Sequence, residues 1–159
     1  MSQPNVKKHM IYFEVDGEGY AVDSAELAGV ASGCPFVAYP GLPAGVLGLI
    51  QWSGKVFPVI DAFAGKAIDL RYSTFLFSGD VLRGPIKEIA LAVPGSVRVF
   101  FAETIMPPPA SASANVTALL IDPEGNEAYQ IRISKVVEGL AKIMALSALD
   151  RRMGRKSAA

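Results

Sequence analysis

The chain is poor in the residues from which most active sites are built. It holds one cysteine, Cys34, and one histidine, His9. A lone cysteine excludes an intramolecular disulfide and a cysteine-based structural zinc site, and beside Pro35 it reads as a small buried hydrophobe in a reducing, intracellular compartment. His9 lies near the N-terminus outside any apolar pattern, so it reads as an ordinary surface residue rather than a catalytic base or metal ligand. There is no charge excess, because 15 Lys and Arg balance 15 Asp and Glu. A neutral chain has no general attraction for phosphate backbones or anionic membranes, which argues against nucleic acid as a partner. No apolar run approaches the roughly 20 residues of a membrane-spanning helix, and the opening MSQPNVKK lacks the core of a signal peptide. The expectation is a cytoplasmic protein without direct membrane insertion.

Other catalytic signatures are missing too. Asp61, Asp69, Asp80 and Asp122 are scattered over turns and strand ends, with no spacing that pairs carboxylates or ligates a cation. Asp16-Gly17-Glu18-Gly19 lacks the Lys-Ser/Thr that completes a phosphate loop. Catalytic residues, metal ligands and cofactor-binding residues are therefore all read as none.

Hydrophobic residues, in contrast, make up 51% of the 159 positions, enough for one domain or two small lobes sharing a core. They concentrate in the stretch Val37 to Asp61. Two apolar arms, Val46 to Trp52 and Lys55 to Ile60, flank Ser53-Gly54, a two-residue link that predicts a tight β-hairpin. Gly54 suits the positive φ of such a turn, and Pro58, lacking a ladder donor, places the second arm at an edge or bulge. Nearly continuous apolar arms predict that both hairpin faces are covered. Pro40, Gly41, Pro43 and Gly45 form a punctuated loop ahead of it.

Elsewhere, Met10 to Val15 and Tyr20 to Val22 flank a turn rich in Asp and Gly, giving another hairpin. Asp23 or Ser24 can cap a short helix through Ala25, Glu26, Leu27 and Val30, weakened by Gly29. Ala62 to Arg71 reads as a loop. Tyr72 to Phe77, Ile86 to Val93 and Val97 to Phe101 read as strands, and Pro107 to Asn115 as a flexible or extended connector. Val116 to Ile121 and Tyr129 to Ile133 flank Asp122-Pro123-Glu124-Gly125-Asn126, a third hairpin with Tyr129, Ile131 and Ile133 on one face and Gln130 and Arg132 on the other. Ser134 would cap a helix bearing Val136, Leu140, Ile143, Met144 and Ser147, followed by a basic tail. At least seven short strands and few helices predict an all-β chain of barrels or a sandwich.

The order Pro40-Gly41, Gly45, Gly48, Ser53-Gly54 and Pro58-Val59-Ile60-Asp61 resembles the signature hairpin of the CheW-like domain family, adaptors of bacterial chemotaxis. Ile11-Tyr12-Phe13 and Tyr20-Ala21-Val22 extend the resemblance, which runs from about His9 to about Met144. It implies two intertwined five-stranded SH3-like β-barrels with a short helix and a C-terminal helix. The implied limits are residues 9–146 for the domain, 1–8 for a flexible N-terminus and 147–159 for a flexible basic tail. It also implies a non-catalytic adaptor, without cofactor, that couples a chemoreceptor to a CheA-type histidine kinase. The partner-facing positions would be Val46, Gln51, Trp52, Ser53 and Lys55. Two departures stand out: Gln51-Trp52-Ser53-Gly54 replaces the usual Asn-Leu-Arg-Gly, and Gly29 stands where a Glu is usual.

Trp52 is open to two readings, a barrel aromatic packed in the core or a side chain displayed to a partner. Three other functions stay in view. One is a divergent adaptor of a type IV pilus or gliding-motility pathway. The second is a small β-barrel binding nucleic acid or a ligand, and the third is an enzyme using carboxylates, Tyr or Lys.

Overall fold

The computed structural model describes residues 8–34, 36–38, 41–42, 45–60, 62–63, 73–84 and 86–142. Its twelve strands are β1 (Lys8–Val15), β2 (Glu18–Asp23), β3 (Leu27–Ser32), β4 (Phe36–Val37), β5 (Val46–Trp52), β6 (Lys55–Ile60), β7 (Ser73–Ser78), β8 (Ala90–Pro94), β9 (Arg98–Ala102), β10 (Thr104–Met106), β11 (Val116–Ile121) and β12 (Glu127–Ile131). One α-helix, α1, is described over 133–142. Asp61 and the expected loop at 64–71 lie outside the described residues, as do Ile143, Met144, Ser147 and the basic tail.

The strands form two curled sheets, ordered β10-β11-β12-β2-β1-β9 and β3-β7-β8-β6-β5-β4. In the first, β9 and β10 are separated only by Glu103 and pair with opposite ends of the sheet, so they are halves of one bent strand. β3 and β4 stand in the same relation in the second, pairing with opposite ends of the sheet. Counted this way, each sheet is a five-stranded barrel. The chain begins in one barrel, builds the whole of the other from β3 to β8, and returns through β9 to β12. We call these the framing and the inserted barrel. A parallel pairing of β2 with β12 closes the framing barrel across the insertion.

Both faces of most strands are apolar because each barrel wall separates two cores. On β1, Met10 and Tyr12 point into the framing barrel, whereas Phe13 and Val15 point to a shared core between the barrels. On β7, Phe75 and Phe77 fill the inserted barrel and Leu76 faces the shared core. Helix α1 seals that shared core with Ile133, Val136, Val137 and Leu140, the i, i+3, i+4, i+7 stripe of an amphipathic helix.

Several expectations need correction. The helix begins at 133, and the Val136 amide donates to the Arg132 carbonyl at 3.2 Å, so Ser134 lies inside the first turn rather than capping it. Ile133 consequently belongs to the helix and not to a strand. Gln130, assigned to a polar face, is buried in the framing barrel wall. The helix expected after Asp23 is a single 3-10 turn over Ser24–Glu26, capped by Asp23 Oδ1 accepting from the Ala25 amide at 2.9 Å. Leu27 then enters β3, where pairing with β7 outweighs weak local helix propensity. His9, read as lying outside any apolar pattern, is in β1, with its ring edge-on to Phe101 at 4.9 Å. The connector 107–115 is tied down, with Ala112 packed on the shared core and Asn115 donating to the Ala62 carbonyl at 3.5 Å.

Candidate docking site on the inserted barrel

The β5–β6 hairpin forms as its sequence predicts. Ser53 and Gly54 have φ of 51° and 77°, the paired positive values of a type I′ turn, whose twist matches that of the strands it joins. β6 is not an edge strand, since β5 lies on one side and β8 on the other. Pro58 is accommodated because the parallel ladder to β8 starts one residue later, at Val59.

Alternation sends the five candidate residues to different places. Trp52, Ser53 and Lys55 share a groove of about 510 Å³ at the mouth of the inserted barrel. Gln51 pairs with Val56 and points to the outer face instead. Val46 lies at the opposite end of β5, about 20 Å from Trp52 at the usual rise per residue, and packs partly on the shared core. The groove also gathers Asp80, Lys87 and Glu88 from the β7–β8 connection, none of which the sequence marked as partner-facing. The Lys87-Glu88 pair did interrupt an apolar run read as strand from Ile86 to Val93, and only Ala90 onward is strand. Lys55 Nζ meets Glu88 Oε1 at 3.1 Å, joining the hairpin to that connection. Both side chains are well exposed, so the pair orients more than it stabilises.

Trp52 resolves into both of its readings. Its ring stacks on Phe77 at 4.4 Å and 8°, and meets Phe57 edge-on at 6.1 Å. It also covers Gly29 of β3, where a Cβ would collide with the Trp52 ring. The indole thus bridges from β5 to β3 across the barrel mouth, filling the space that a side chain at 29 would need. Gly29 and the Gln51-Trp52-Ser53-Gly54 turn, noted separately in the sequence, therefore meet through the Trp52 ring. The ring remains half-buried and forms a wall of the groove.

The hairpin's outer face is not covered as expected. Val37, Leu49 and Pro58 form one cross-strand row over β4, β5 and β6, with Val37 46% exposed and Val56, two pairs further along on the same face, 56% exposed. A partly open apolar face beside a groove with charges of both signs has the composition of a protein-docking surface.

Two SH3-like five-stranded barrels, one inserted into the other and closed on a shared core by a C-terminal helix, define a double barrel of the CheW-like fold. Among solved structures, the chain is similar to the scaffolding protein TtCheW from Thermoanaerobacter tengcongensis, with a TM-score of 0.66 and 20% identity over 82% of this chain and 92% of that one. No family model and no curated protein matches the sequence.

Proposed function

We propose that this protein is a non-catalytic adaptor of chemotaxis-type signalling that couples chemoreceptors to a CheA-type histidine kinase in the cytoplasm. Its docking face would be the hairpin mouth and the adjoining outer row of the inserted barrel. The observation that carries this reading is the exposure of Val37 and Val56 on the hairpin's outer face, with Leu49 and Pro58 partly open between them, beside the Trp52 groove and on a fold shared with a scaffolding protein. Apolar surface of this kind drives association, and the Lys55–Glu88 rim supplies orientation.

One observation favours a divergent adaptor, of a type IV pilus or gliding-motility system. Ser53 and Gly29 carry no charge at two positions where the family pattern has one, and Trp52 occupies the intervening space. Altered charge at an interface changes partner choice more than fold.

The test is capture from lysate on immobilised wild-type and Ser53→Arg protein, with bound proteins identified by mass. A histidine kinase or chemoreceptor held by the wild type supports the coupling role. Capture of such partners only by Ser53→Arg would point to the divergent role. Nucleic acid or a metabolite bound instead, with neither protein class captured, would overturn the adaptor reading.

A further inference from the structure

A second surface stands open on the framing barrel. Among the described residues seven large hydrophobic side chains are exposed, and four of them, Val99, Phe101, Ile105 and Met106, lie on β9 and β10. The backbone beside Val99 and Phe101 is open as well. The Glu103 amide donates to the Ile121 carbonyl at 2.9 Å, so it points toward β11 and away from β1. Across a trans peptide the preceding carbonyl points the opposite way, and along a strand the backbone groups of successive residues alternate between its two edges. Ala102, Phe100 and Arg98 therefore turn their backbone groups to β1, opposite Lys8, Met10 and Tyr12, while Phe101 and Val99 turn theirs to the other edge. There β11 has already left through the turn at Asp122, and among the described residues β9 has no strand partner but β1. The amides and carbonyls of Val99 and Phe101 thus form an unpaired strand edge.

A cleft of about 490 Å³ separates this edge from the β11–β12 turn. Its described lining carries three carboxylates, Glu103, Asp122 and Glu124, against one guanidinium, Arg98, whose central carbon lies 4.4 Å from the centre of the Tyr12 ring. His9 is the other titratable lining residue. Together these features select an occupant. Unpaired backbone groups in a row are matched by an extended peptide, which a small molecule cannot imitate. Val99 and Phe101 favour apolar side chains set directly across from them. The carboxylates favour a basic chain and oppose a second copy of this one, which would bring the same carboxylates against them. We propose that β9 accepts an extended basic segment of a partner protein as an added strand, with its apolar side chains on Val99 and Phe101 and its basic ones toward Glu103 and Glu124. The edge belongs to the framing barrel, so the proposal stands whether or not the hairpin mouth docks a kinase or a receptor.

The experiment is titration of the full chain with a short peptide of alternating valine and lysine, followed by NMR amide exchange. In the free chain the Val99 and Phe101 amides should exchange fast and those of Phe100 and Ala102 slowly. The peptide should bind and protect Val99 and Phe101. The same peptide N-methylated at its valines keeps charge and side chains but loses the ladder, and should bind about tenfold more weakly or worse. A peptide with glutamate in place of lysine should lose at least as much. Glu124→Lys, at an exposed position, should weaken the lysine peptide by about tenfold and leave Tm unchanged. Equal binding of the N-methylated peptide would overturn strand addition, and equal binding of the glutamate peptide would overturn the charge selection. Val99 and Phe101 already protected in the free chain would also overturn the proposal; if that protection were lost on dilution, the edge would belong to a second copy.

Discussion

The two barrels share a topology but are filled differently. The framing barrel holds Met10, Tyr12, Phe100 and Leu120 with four alanines, Ala21, Ala102, Ala118 and Ala128. The inserted barrel is filled by Phe57, Phe75 and Phe77 around Ile50, Val59 and two alanines, with Phe36 and Trp52 packed against them. Small residues let strands approach closely and leave little to rearrange. Large rings concentrate stability in a few contacts, one of which reaches the surface through Trp52. In the inserted barrel the core thus reaches the proposed docking face directly, through Trp52.

The largest effect should come from the aromatic stack. Phe77 is fully buried under Trp52, so Phe77→Ala should cost about 4 kcal/mol of unfolding free energy in urea denaturation. Trp52→Ala, half-buried, should cost about 3 kcal/mol and also weaken partner capture. The framing barrel should respond to the opposite change: Ala128→Leu should overpack its narrow interior and cost about 2 kcal/mol. If Ala128→Leu were neutral, the claimed contrast in filling would be wrong.

A smaller effect is expected where the chain crosses between barrels. Glu26, in the 3-10 turn, accepts from the Ile133 amide at the start of α1, while its Oε2 is buried without a partner among the described residues. Burial raises its carboxyl above the ordinary value of 4.5, outweighing the lowering by that amide and by Arg132. The folded chain therefore favours the protonated acid. The stability so gained is present below pH 4.5 and is lost as pH rises through the folded value. Glu26→Gln keeps the acceptor and removes the charge, so it should raise Tm at neutral pH and do little at low pH. Smallest of all, Lys55→Ala should change stability by under about 0.5 kcal/mol, because its pair with Glu88 is exposed. An effect above about 1 kcal/mol would mean that the rim is structural and not only orienting.

Local chemistry made the turns legible. Ser53-Gly54 and Asp16-Gly17 both adopt the paired positive φ of two-residue hairpins, and Asp122 ties its turn by accepting from the Glu124 and Asn126 amides at 3.0 and 2.7 Å. What failed depended on distant pairing. Leu27 to Ser32 is a strand only because β7 lies beside it, and β10 only because the strand bends at Glu103 to reach β11. Gln130 is buried by the barrel wall despite its polarity. The site was half legible for the same reason. Trp52, Ser53 and Lys55 are neighbours in sequence and remain so, but Asp80, Lys87 and Glu88 arrive from another strand connection, and Val46 sits at the far end of β5. The fit of Trp52 over Gly29 joins residues too far apart in sequence for any local pattern to suggest it.

The central claim is that the inserted barrel supplies the docking face. Hydrogen–deuterium exchange, with and without a captured kinase regulatory domain, tests it most directly. The account predicts added protection in β4 to β6 and in the connection at 79–89, with β9 to β12 unchanged. Protection confined to β9 to β12 would contradict it.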